Sequence, residues 1–192
     1  MGTNSKKKTL DYFCDSIILK ESKRENEFLD KIVEWCGYNK FELLFRGTRD
    51  GMTNIVLHNK CNNKGPTLLL YKNEKGYING GYTSFPWSSD GSYHSSPDSF
   101  LFTLTNMYNI NATIFPSKNN QKEVYHRNDY GPIFGGADLG IYPDILNKGG
   151  WSSFPNTYKD ILGKGKSIFT GKDNNNSSEF KIKEIEVFKL FN

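Results

Sequence analysis

From Phe28 onward the apolar side chains Phe28, Leu29, Ile32, Val33 and Cys36 fall three and four residues apart, the spacing of one helical face. Ser22 with Glu25 three residues later has the form of a capping box, and Gly37 stands where such a helix stops. The pattern predicts a helix over residues 23–36. Downstream, the apolar residues come in shorter runs bounded by Gly, Pro, Asn and Asp. These predict strands over 41–46, 67–71, 77–83, 100–105, 111–115, 122–126 and 133–134. Residues 47–51 read as a loop, and 55–61, headed by Thr53 or Asn54 as cap, as a short helix. The polar stretch 73–76 is a hairpin turn. Near the end, 179–190 alternates through Phe180 and Ile182, then slips register to Ile185 and Val187, which predicts a β-bulge near Lys183 and Glu184.

Two glycine pairs interrupt this pattern. Gly80-Gly81 lies inside a predicted strand, where glycine is tolerated when the backbone bulges or another group approaches closely. Gly135-Gly136 follows the 133–134 strand. Residues 84–98 with Trp87, and 140–158 with Trp151, read as long irregular segments that pack on the body or bind something. No internal repeat is found.

Composition sharpens the picture. An aromatic content of 15%, mainly Phe and Tyr, favours sheet, and 192 residues suit one domain. The expectation is a mostly β (α+β) fold: a flexible, Lys-rich lead over residues 1–15, then a single domain over 16–192. A net charge of +4 with mixed signs lacks the basic bias of a nucleic-acid binder. The run Lys6-Lys7-Lys8 reads as a solvated tail, or as a weak contact with anionic lipid or nucleic acid. Lys6 stands where a myristoylation signal needs Ser or Thr. Cys14, Cys36 and Cys61 form no C-x-x-C pair and are odd in number, which points to reduced thiols in a cytosolic or nuclear compartment, and a cytoplasmic location is expected. No signal peptide and no apolar run approaching ~20 residues is present, so no stable membrane insertion is expected.

Motifs for known chemistry are incomplete. Gly165-Lys166-Ser167 resembles the end of a phosphate loop, but Asp160 replaces the first glycine and would repel phosphate. Ile168 replaces the third glycine of a dinucleotide motif. The run 173–176 lacks the glycine and glutamate of a calcium loop. His58, His94 and His126 have no ligand partner at metal spacing, so neither metal nor cofactor is expected. A pair of Cys61 with His58 or His126 stays open, because such partners meet in space. Glu184 and Glu186, two apart on a strand, share a face and read as a solvated acidic edge or a recognition surface. Arg46, Arg49 and Asp50 read as an ion pair bracing a loop, or as part of a site. Trp87, Trp151 and the glycine pairs read as lids on a sandwich or as anchors for a partner.

Several segments in order resemble the TLDc domain family. They are residues 41–51 (Phe41 to Gly51), 65–72 (Gly65 to Lys72), and 80–84 with Trp87. The series continues through 99–104, 130–136 (Tyr130 to Gly136) and the closing 184–188. The resemblance covers roughly 16–190. It implies a sandwich of two antiparallel sheets flanked by short helices, and a role in resistance to oxidative stress. For several members it implies binding to the vacuolar-type proton pump (V-ATPase). It implies no agreed catalytic residues and no cofactor. Gly80, Gly81, Gly135 and Gly136 match family glycines important to partner binding, and Glu184 and Glu186 match the acidic closing strand. The reading is therefore a monomeric, non-enzymatic protein-binding module. The alternatives are a thiol-dependent peroxide-reactive protein or other enzyme, and a weak nucleic-acid binder using the basic lead.

Overall fold

The computed structural model describes residues 14–173 and 177–192. The Lys6 to Lys8 run and most of the 1–15 lead lie outside the described residues. Two helices open the described chain. Ser16 starts α1 (Ile17–Glu21) by accepting the Leu19 N–H at 3.1 Å. Helix α2 spans Glu25–Cys36 and ends at Gly37, whose φ of 74° closes the last turn. The capping box expected at Ser22 does not form. Ser22 is the C-cap of α1, its hydroxyl donates to Leu19 O, and Arg24 is the N-cap of α2 without a side-chain bond. A five-residue helix is too short to show a period, so the sequence hides its claim on Ser22.

After β1 (Lys40–Arg46) comes α3 (Gly47–Asp50), one helical turn where a loop was expected. Helix α4 (Asn54–Cys61) follows, capped by Thr53 as predicted. Strands β2 (Thr67–Asn73) and β3 (Ile78–Thr83) form the expected hairpin, with Asn73 Oδ1 accepting the N–H groups of Lys75 and Tyr77 at 3.0 Å each. Next are β4 (Tyr93–His94), β5 (Phe100–Thr103), β6 (Thr113–Pro116), β7 (Val124–Tyr125), β8 (Ile133–Phe134) and β9 (Leu139–Ile141). The chain closes with α5 (Ile145–Lys148), β10 (Gly150–Trp151), α6 (Ser167–Thr170), β11 (Glu179–Phe180) and β12 (Ile182–Phe191). The segments read as irregular, 84–98 and 140–158, thus contain β4, α5 and β10. Two-residue strands carry no alternation to detect.

The strands form two antiparallel six-stranded sheets, ordered β1-β12-β2-β3-β5-β6 and β11-β10-β9-β8-β7-β4. The fold is a mostly β sandwich with short helices. The register shift of β12 between Ile182 and Glu184 lies where the bulge was predicted. Strand β2 explains its own unbroken apolar run. Leu69 and Tyr71 face the second sheet, where they join Phe45, Leu101, Phe134, Ile185 and Val187. Leu68 and Leu70 face the other way, onto Ile18, Phe28, Leu29 and Ile32 of the two N-terminal helices. Buried on both faces, a strand needs no polar side. The molecule is thus layered as helices, first sheet, second sheet, and among the described residues no further layer of helix or sheet covers the outer face of the second sheet.

Candidate functional site

On that outer face a single cross-strand row runs Tyr93, Tyr125, Ile133, Gly140, Trp151, Glu179, each opposite the next in register. Alternation along each two-residue strand puts these side chains outward while their neighbours His94, Val124, Phe134 and Leu139 point inward. Gly140 is what lets the row lie flat. A Cβ there would stand 2.2 Å from Trp151 Cζ2, so the indole rests on bare backbone.

Tyr93, Tyr125, Ile133 and Trp151 of the row line a shallow groove of about 290 Å³ together with Arg127, Tyr130, Gly136, Ala137 and Tyr142. Tyr93 stacks on Tyr125 with centroids 4.2 Å apart, and Trp151 packs against Tyr142 at 4.7 Å and Tyr130 at 5.5 Å. Arg127 lies over the Tyr130 ring at 4.7 Å and is held by Asp129. Lys122 over Tyr93 and Lys148 over Tyr142 add positive charge at the rim. Flat aromatic surface with a planar cation and a basic rim is chemistry for holding a polypeptide.

The residues singled out in the sequence distribute unevenly around this groove. Gly136 and Trp151 line it. Trp87 does not: it is buried, its Nε1–H donates to Thr67 Oγ1 at 3.0 Å, and its ring meets Phe134 edge-on. Gly80 and Gly81 are buried in β3, and a Cβ on Gly81 would stand 2.6 Å from Phe134 Cζ. Gly81 thus lets the two sheets approach, whereas Gly80 faces the helix side, where a Cβ would stand 2.6 Å from Phe102 Cζ. Gly135 takes φ 65° in a turn closed against Asp138 and Thr157, and Asp138 accepts the N–H groups of Asn156, Thr157 and Tyr158.

The acidic pair is placed differently from a solvated edge. Glu184 and Glu186 do share a face, but β12 is an inner strand and both are buried. Glu186 accepts from Ser16 Oγ at 2.6 Å, from the Ile17 N–H at 3.0 Å and from Arg46 Nε at 2.8 Å. Glu184 accepts from the Thr48 hydroxyl and from the Thr48 N–H at 3.2 Å. Helices α1 and α3 lie over these carboxylates, which the strand pattern could not show. Burial raises the Glu186 pKa against the pull of Ser16 and Arg46. Asp50 accepts the Arg46 N–H at 2.9 Å and pairs with Arg49 and Lys60, which makes it a brace for α3.

The three cysteines are free thiols. Burial pushes Cys14 and Cys61 up to about 12 and raises Cys36. His58 is occupied by Tyr130 O at Nε2, and by Asn62 and Ser89 at Nδ1. Among the described residues neither His58 nor His126 hydrogen-bonds to a thiol. None of the described helices is long and apolar enough to cross a membrane.

A helix-backed, two-sheet antiparallel sandwich bearing an aromatic groove on its open face is a mostly β domain of the kind that can host many functions. The description of the TLDc domain matches residues 14–191, and the chain belongs to that family. It is also similar to the MTOR-associated protein MEAK7 of Danio rerio, at 34% identity over 64 residues. That alignment spans 33% of this chain and 14% of the fish protein.

Proposed function

We propose that this chain is a non-enzymatic protein-binding module whose outer aromatic groove receives its partner, with a subunit of the vacuolar-type proton pump as that partner and resistance to oxidative stress as the outcome. The observation that carries the groove is the in-register row from Tyr93 to Trp151, left without a covering layer among the described residues and flanked by Arg127. The pump and the stress role come from the resemblance to TLDc proteins. The association named for the MEAK7 relative is a second reason to think of a protein partner. The raised pKa values of Cys14 and Cys61 weigh against the thiol reading, since the thiolate is the reactive form.

Affinity purification from the native cell, comparing wild type with Trp151→Ala and Arg127→Glu, tests the proposal. Pump subunits should be recovered with wild type and lost with both variants. Recovery unchanged by either substitution removes the groove, and absence of pump subunits from the wild-type sample removes the partner.

A further inference from the structure

The inner row that pairs His94 with Val124 continues to His126, two residues along and on the same face. At the open end of the sandwich the two imidazoles come together, with centroids 4.4 Å apart. Asp90, on the loop before β4, completes the group. Its carboxylate meets His94 Nε2 at 2.8 Å, and one ligand atom each from Asp90, His94 and His126 lie within 4.8 Å of one another.

The surroundings hold these groups in place. Phe85 stacks on His94 at 4.5 Å, and Trp87 packs on His126 at 4.9 Å. Asp90 Oδ1 accepts the Ser92 N–H at 2.9 Å, and Ser92 O accepts the His126 N–H at 3.0 Å, so the loop is tied to β7 from both sides. His126 is almost fully buried, yet its Nε2 has no hydrogen-bond partner. Ser88 offers Nδ1 two atoms, its backbone N–H at 3.2 Å and its hydroxyl at 2.9 Å. With Nδ1 accepting the N–H, the hydrogen on Nε2 has nothing to donate to. With Nδ1–H donating to the hydroxyl, Nε2 presents a bare lone pair. Both tautomers leave an orphaned nitrogen, a cost of about 1–3 kcal/mol in a buried site. Metal-bound imidazoles ordinarily donate their second ring N–H to such a partner.

We propose that Asp90, His94 and His126 bind a divalent transition-metal ion of the zinc type, with water completing the coordination. Two imidazoles and one carboxylate form a donor set that suits zinc and leaves a position open. Asp90 is exposed and His94 partly so, which gives the ion an entry path, while His126 anchors the site in the core. The ion would pin the loop bearing Trp87 to the second sheet, close to the Tyr93 end of the outer groove. No covalent step is involved.

The full chain, stripped with a chelator and dialysed, is titrated with zinc sulfate by calorimetry, with cobalt(II) absorption as the geometric probe. One equivalent should bind, with a rise in thermal midpoint and a tetrahedral cobalt spectrum, and magnesium and calcium should leave both readouts unchanged. His94→Ala and Asp90→Asn should each weaken zinc binding by about tenfold or more while circular dichroism stays native. Asp90 is on the surface, so its variant keeps the test valid if His94→Ala misfolds. Absence of zinc uptake, or affinity undiminished in Asp90→Asn, overturns the assignment.

Discussion

Arg46 and Glu186 stand opposite each other in register across the first and last strands of the first sheet, and their side chains meet at 2.8 Å, with Glu186 fully buried. Arg46 also donates to Asp15 O, so one guanidinium links β1, β12 and the lead into α1.

Removing the cation strands a buried carboxylate. Arg46→Met should cost about 3–5 kcal/mol, and adding Glu186→Leu should recover part of that loss. Urea denaturation of the two single variants and the double variant measures the coupling. Strict additivity of the single effects would show the pair to be independent.

Asp50 gives a pH dependence of definite sign. Arg49, the Arg46 N–H and Lys60 hold its carboxyl below the ordinary value of 3.8. Its folded pKa is depressed, so its contribution is complete above the unfolded value and is lost as pH falls through the folded one. Asp50→Asn should therefore cost about 1–3 kcal/mol near pH 7, and the gap from wild type should narrow below 3.8. Urea midpoints from about pH 7 to about pH 3 check this. A gap that widens in acid would contradict the sign.

Thiol reactivity separates the two leading functional readings. With Cys14 and Cys61 pushed up to about 12 by burial, their thiolate fraction near neutrality is of order 10⁻⁵. A thiol-specific reagent should label at most the half-buried Cys36 in the native protein, and all three cysteines in urea. Rapid native labelling of Cys61, or fast peroxide consumption lost with Cys61→Ser, would revive the thiol reading.

Gly81 answers to Phe134 across the sandwich. Gly81→Ala places a methyl group 2.6 Å from the ring carbon and should destabilise by about 1–3 kcal/mol through overpacking. Phe134→Leu in the same chain should return part of that loss. Gly81→Arg should unfold the domain, so loss of a partner in that variant would report stability and say nothing of a binding face.

Much of the first sheet was legible because its strands are long enough to carry a signal. The alternation of 179–190 located the bulge of β12, and the apolar run at 67–71 marked a strand covered on both sides. Of the second sheet, β7 and β8 fall within the predicted strands 122–126 and 133–134 and β11 within 179–190, whereas β4, β10 and most of β9 lie in segments read as irregular, because two or three residues show no period. The groove on this sheet is assembled from residues 93 to 151, drawn from separate short strands and the loops between them, and Gly136 and Trp151 are the members that sequence reasoning names as candidates. Glu184 and Glu186 were placed correctly on one face, but what covers that face is decided by α1 and α3, far away in sequence. The His94–His126 pairing depends on β4 meeting β7, a contact that ligand spacing along the chain cannot report.

Strand β12 is inserted between β1 and β2, the first two strands of the chain. During synthesis each of those two must wait, with one hydrogen-bonding edge unpaired, until residues 182–191 have left the ribosome. Closure of the first sheet is then a late, long-range event of the slow kind. Without β12, β1 would have no partner strand in the sheet and β2 would be paired along one edge alone.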